Sequence, residues 1–140
     1  MTEKYMSLDS MGSGEFLEAL RNGTDGVWSI DAAIWLLGEH GVWLDNSKLR
    51  ECAVGGVDES GRIWAGLDHR RVVSAIDSGE LGEWGEEIAI LMIAMSLLGD
   101  YPISLRYTID CISAKNIALV AAAVIRADGF LGATVATPQS

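Results

Sequence analysis

Residues 83–98 read Glu-Trp-Gly-Glu-Glu-Ile-Ala-Ile-Leu-Met-Ile-Ala-Met-Ser-Leu-Leu, and this stretch decides the fold. Glu83, Glu86 and Glu87 put negative charge where a helix start is positive. From Ile88 onward the stretch is apolar on every side, so a helix over Glu83–Leu98 must be surrounded by other elements. The run from Ile88 to Leu98 falls well short of the roughly 20 residues that cross a bilayer. A buried central helix is expected, and the rest of the chain must cover it.

The covering helices announce themselves by their ends. Leu44-Asp45 precedes Leu49, Leu67-Asp68 precedes Val72, and Ile112-Ser113 precedes Ile117. Each set places an apolar residue before a capping side chain and another four places after it, the spacing of a hydrophobic staple. Helices are therefore expected to start at Asp45, Asp68 and Ser113. The segments Leu44–Gly56 and Leu67–Gly79 align without gaps, which allows a duplicated helix start but supports no repeat protein. The third helix, Ala114–Arg126, carries alanines that permit close approach to a neighbour, expected to be the central helix. Asp128-Gly129 ends it.

Upstream, Ser13 is expected to cap a helix over Glu15–Arg21 that Asn22-Gly23 closes in left-handed geometry, and Ser29 to cap Ile30–His40, stopped by Gly41. Asp100-Tyr101-Pro102 suits the start of a further helix to about Asp110. Val42-Trp43-Leu44 and Arg62-Ile63-Trp64 read as short strands that could pair, the second following the turn sequence Asp58-Glu59-Ser60-Gly61. The expected fold is mainly α: a compact single-domain bundle of six or seven short helices, residues 1–140, with room for a minor two-stranded β element. Residues 1–10 and 133–140 are expected to be loose, unless Thr134-Val135-Ala136 adds an edge strand.

Composition narrows the function. With 20 Asp and Glu against 10 Lys and Arg, the net charge of -10 argues against direct binding to nucleic acid or an anionic membrane. Lys48, Arg50, Arg62, Arg70 and Arg71 resemble a helix-turn-helix footprint, but Asp45, Glu51, Asp58, Glu59 and Asp68 cancel them within the same window. The first residues show no signal-peptide pattern, which points to a cytoplasm and leaves the glycosylation pattern Asn22-Gly23-Thr24 idle. Seven Arg to three Lys suits a GC-rich genome, bacterial or phage.

Chemistry finds little support. His40 and His69 are isolated, Cys52 and Cys111 form no CxxC pair, and no metal or other cofactor is expected. The two cysteines read as a reduced interior pair. His40 ends a helix, where the dipole favours a partly protonated imidazole, and His69 is expected to be half exposed. Gly12-Ser13-Gly14 lacks the preceding strand and the lysine of a phosphate loop. No catalytic residue is assigned.

Charge distribution carries the functional expectation. Asp77, Glu80, Glu83, Glu86, Glu87 and Asp100 are interrupted by no Lys or Arg. Asp77, Glu80, Leu81, Glu83, Trp84 and Glu87 form the expected partner-binding surface: the acids steer a basic patch of another protein, while Leu81 and Trp84 supply desolvated contact. The expectation is a non-enzymatic acidic module: an inhibitor, an immunity or antitoxin-like neutraliser, or a phage-encoded modulator of a host protein. Alternatives are a nucleic-acid mimic that occupies a DNA-binding protein, and a small enzyme with dispersed residues. A homodimer through the apolar helices is compatible with each.

Overall fold

In the computed structural model, which describes residues 4–5, 8–99 and 101–129, the elements are β1 (Lys4–Tyr5), α1 (Ser13–Asn22), α2 (Trp28–His40), α3 (Ser47–Arg50), β2 (Ala53–Val57), β3 (Ile63–Leu67), α4 (His69–Asp77), α5 (Glu86–Gly99), α6 (Leu105–Ile109) and α7 (Ala114–Ala127). The fold is mainly helical, as expected. α5 is the centre: Ile88 to Leu91 and Ile93 to Met95 are all buried, and α2, α4, α6 and α7 pack around it. It starts three residues later than expected, leaving Glu83 and Trp84 outside the helix.

α7 packs chiefly on α2, not on α5. Ala32 and Ala33 of α2 and Ala118, Ala122 and Ala123 of α7 are all buried, so small residues stand on both helices and their backbones can approach closely. The Arg126 guanidinium, 4.9 Å from the Trp35 ring and 3.5 Å from Asp31 Oδ2, ties the C-terminal end of α7 to α2.

The β element is real but differently placed. β2 and β3 form an antiparallel hairpin with Gly56 opposite Trp64, and β1 adds Lys4 opposite Val57, giving the order β1-β2-β3. Asp58 builds the hairpin turn, its Oδ1 accepting from the backbone N–H groups of Ser60 and Arg62, both at 2.9 Å. Val42-Trp43-Leu44 is not a strand. Trp43 and Leu44 are buried instead, with the Trp43 indole donating to the Glu87 carbonyl at 2.9 Å. The partner of residues 62–64 lies directly across the predicted turn, in a segment whose Gly55-Gly56 gives little strand signal.

Residues 4–5 are paired and Leu8 is buried, so this part of the first ten residues is not loose. The expectations for residues 133–140, including the edge strand, lie outside the described residues.

Several helix ends also shift. Gly12 and Val27, not Ser13 and Ser29, occupy the cap positions of α1 and α2, and the Ser13 hydroxyl instead bonds Asp45. Gly23 keeps φ at -89°, so it is not a left-handed stop; a Cβ there would come 2.1 Å from the Ala65 carbonyl oxygen, and glycine is what lets α1 meet β3. Gly41 does close α2 in left-handed geometry. α6 is a short helix entered at Ser104, past Pro102.

Candidate functional site

The α4–α5 connection is a shaped turn. Beyond α4, Gly79 (φ 81°) and Gly82 (φ 111°) adopt left-handed backbone that other residues rarely take. The Gly79 N–H donates to Ile76 O and the Glu80 N–H to Ala75 O, both at 3.1 Å, folding the chain back on its own helix end. Leu81, between the two glycines, is turned inward and joins the core at 8% exposure. It therefore cannot supply the partner contact expected of it. Once inside, its role is to anchor the turn.

Trp84 does the opposite, standing 55% exposed ahead of α5. Asp77, Glu80, Glu83 and Glu87, in the same stretch of chain, are all exposed. Their charges are not equivalent. Among the described residues, Asp77 and Glu83 have neither a hydrogen-bond nor an ion-pair partner. The Glu80 carboxylate meets the Ser78 hydroxyl at 3.0 Å and lines a polar cavity beside Lys48 and Arg71, so its field is partly answered.

Glu86 is committed elsewhere. Its Oε2 accepts from the Ser113 backbone N–H at 2.5 Å, which caps α7 from a neighbouring element. The backbone N–H and hydroxyl of Ser113, with help from Asn116, hold the Glu86 carboxyl below the usual carboxylate range. The Ser113 side chain makes no cap hydrogen bond of its own, although the helix starts where expected.

His40 belongs to the same corner. It ends α2 as expected, but burial pushes its imidazole below the ordinary value, against the pull of Glu87 and Glu86. Its Nδ1 is buried with no hydrogen-bond partner among the described residues. The helix dipole favours the charged form, yet desolvation of the half-buried ring outweighs it.

The remaining reactive groups are accounted for. His69 is half-buried and sits so close to Gly99 that a Cβ there would lie 2.1 Å from the ring. Cys52 lines the cavity of about 220 Å³ that also holds Glu51 and Glu80. Burial pushes its thiol up, with Arg71 pulling the other way, and its Sγ lies 3.5 Å from the Lys48 carbonyl, so the thiolate needed for attack is disfavoured. Both cysteines are free, and Cys111 Sγ is 3.4 Å from Thr108 O. Among the described residues, no three His, Cys, Asp or Glu side chains gather as a metal ion would require.

Sequence reasoning missed Asp25 and Trp64, which share a notch with Asp58. Nothing in their spacing signals it, because the notch forms only where the α1–α2 loop meets the hairpin. Among the described residues, no helix is long and apolar enough to cross a membrane. Comparison with known protein families, curated proteins and solved structures finds no match to this chain.

Proposed function

We propose that this chain is a non-catalytic binding protein whose α4–α5 turn receives a basic patch of another protein. The observation that carries the reading is Trp84, 55% exposed on a turn pinned from inside by Leu81, in a stretch whose Asp77 and Glu83 carboxylates have no partner among the described residues. A large aromatic held in water is an unused contact surface, and tryptophan is enriched where partners bind tightly. Acids around it raise the encounter rate with a cationic surface. A reducing, cytoplasmic setting belongs to the same reading and is supported by the two free cysteines.

The test begins by identifying the partner through cross-linking and mass spectrometry in the native host, then measures its kinetics with purified proteins. Trp84→Ala should raise the dissociation rate about 30-fold or more, as hot-spot truncations of 2 kcal/mol or above do. Reversing Asp77, Glu83 and Glu87 to lysine should slow association and flatten its dependence on salt. Unchanged kinetics in both variants would discard the surface.

A further inference from the structure

α7 has two faces. Ala118, Ala122 and Ala123 are buried, whereas Ala114, Ile117, Ala121, Val124 and Ile125 recur at three- and four-residue steps on the other side. Val124 is 55% exposed and Ile125 37%; Ala114 is exposed, and Ile117 and Ala121 are half-buried. The stripe runs about 15 Å along the helix and carries no charge before Asp128, at its end. α7 itself holds none of the chain's 20 Asp and Glu.

Charge selects what covers the stripe. A basic partner is drawn to the acids elsewhere on the surface and finds none along α7. Two copies of this chain, each at a net charge of -10, repel except where neither presents an acid, and this face is such a place. The helix ends are complementary as well. Asp128 stands at the C-terminal end of α7, where the dipole disfavours it, and its carboxylate has no partner among the described residues. At the opposite end the first turn contains no acid, Ser113 makes no side-chain cap, and Glu86 takes only the Ser113 backbone N–H. An antiparallel second copy lays each Asp128 beside the other's open helix start.

We infer that α7 pairs with α7 of a second copy about a two-fold axis at Ala121, a small residue near the middle of the helix that lets the backbones approach. The axis sets Ile117 against Ile125 of the second copy and covers both stripes. One helix face is a small interface, so the dimer is weak and reversible.

Sedimentation equilibrium of the full chain, from about 10 μM to about 1 mM, should show this dimer. Val124→Glu should weaken it about tenfold or more, because the added charge would have to be buried, while circular dichroism stays unchanged at so exposed a position. Trp84→Ala should leave the dimer intact, which separates this surface from the α4–α5 turn. Oxidative cross-linking in a Cys111→Ser background tests the symmetry: Ala121→Cys should give a disulfide-linked dimer and Ala114→Cys should not. A monomer at every concentration would leave the stripe to residues 130–140 or to another protein and overturn the pairing. A dimer that survives Val124→Glu, one lost in Trp84→Ala, or a link through Ala114→Cys would overturn it too.

Discussion

Two segments with the same sequence pattern end as different structures. Leu44-Asp45 to Leu49 and Leu67-Asp68 to Val72 share an apolar–cap–apolar spacing, and all four apolar residues are buried. In the second segment Asp68 caps as expected, accepting from the Arg70 and Arg71 N–H groups, and α4 runs nine residues. In the first the cap moves one place: Asn46 accepts from the Leu49 N–H at 2.9 Å, and α3 stops after four residues. Asp45 turns instead to the Ser13 hydroxyl and to Arg50, 3.8 Å away. The difference arises downstream of the cap. Arg50, 6% exposed, donates to Leu44 O at 2.8 Å, Leu8 O at 3.0 Å and Met11 O at 2.5 Å, with its guanidinium 4.8 Å from the Phe16 ring. The chain then leaves helix to pair with β3. A staple starts a helix; long-range partners set its length.

The sharpest way to break this comparison is Arg50→Met. It leaves buried carbonyls without a donor and should cost about 3–5 kcal/mol, lowering Tm by roughly 10 °C. Arg71→Ala, which removes an exposed guanidinium that reaches only the Glu51 carbonyl, should cost about 1 kcal/mol or less. Equal losses by denaturant titration would show that Arg50 is no hub. Next in size, Leu81→Ala should cost about 2–3 kcal/mol, whereas Trp84→Ala should stay within about 0.5 kcal/mol. A comparable loss for both would place Trp84 in the core and remove the basis of the docking surface. The caps come third. Asp68→Ala and Asn46→Ala should each cost about 1 kcal/mol, and Asp45→Ala clearly less, because Asp45 caps nothing.

The smallest effect is expected from pH. His40 titrates lower folded than unfolded, so its contribution is complete above the ordinary imidazole value of 6.5 and is lost as pH falls below it. Glu86 is also held low, and its contribution fades as pH falls below its ordinary 4.5. Denaturant midpoints measured from pH 8 to pH 3 should therefore fall in two stages. His40→Gln should flatten the first stage and Glu86→Gln the second. A stage that survives its variant reports another group.

Much of this fold was legible because local chemistry and tertiary outcome agreed. The all-apolar Ile88–Leu98 run could only be central, Asp68 had an uncontested cap, and Asp58-Glu59-Ser60-Gly61 had the residues that a hairpin turn needs. Legibility failed where a residue had two competing uses. Asp45 could cap or bond Ser13, Trp43 could join a strand or reach the Glu87 carbonyl, and Leu81 could face a partner or the core. The acids of the α4–α5 turn were visible as a run of charge. Their separation into answered, committed and unpartnered carboxylates was not, since Lys48, Arg71 and Ser113 arrive from distant parts of the chain.

The amino-acid order alone determined the helical class, the acidic exterior and the starts of α4 and α7, because patterning, capping and turn chemistry act within a few residues of each other. Tertiary structure decided that α3 gives way to a strand, that α7 lies on α2, that burial makes His40 harder to charge and that Trp84 remains in water while Leu81 does not. Each of those outcomes depends on burial and on partners far away in sequence, and no local spacing encodes them.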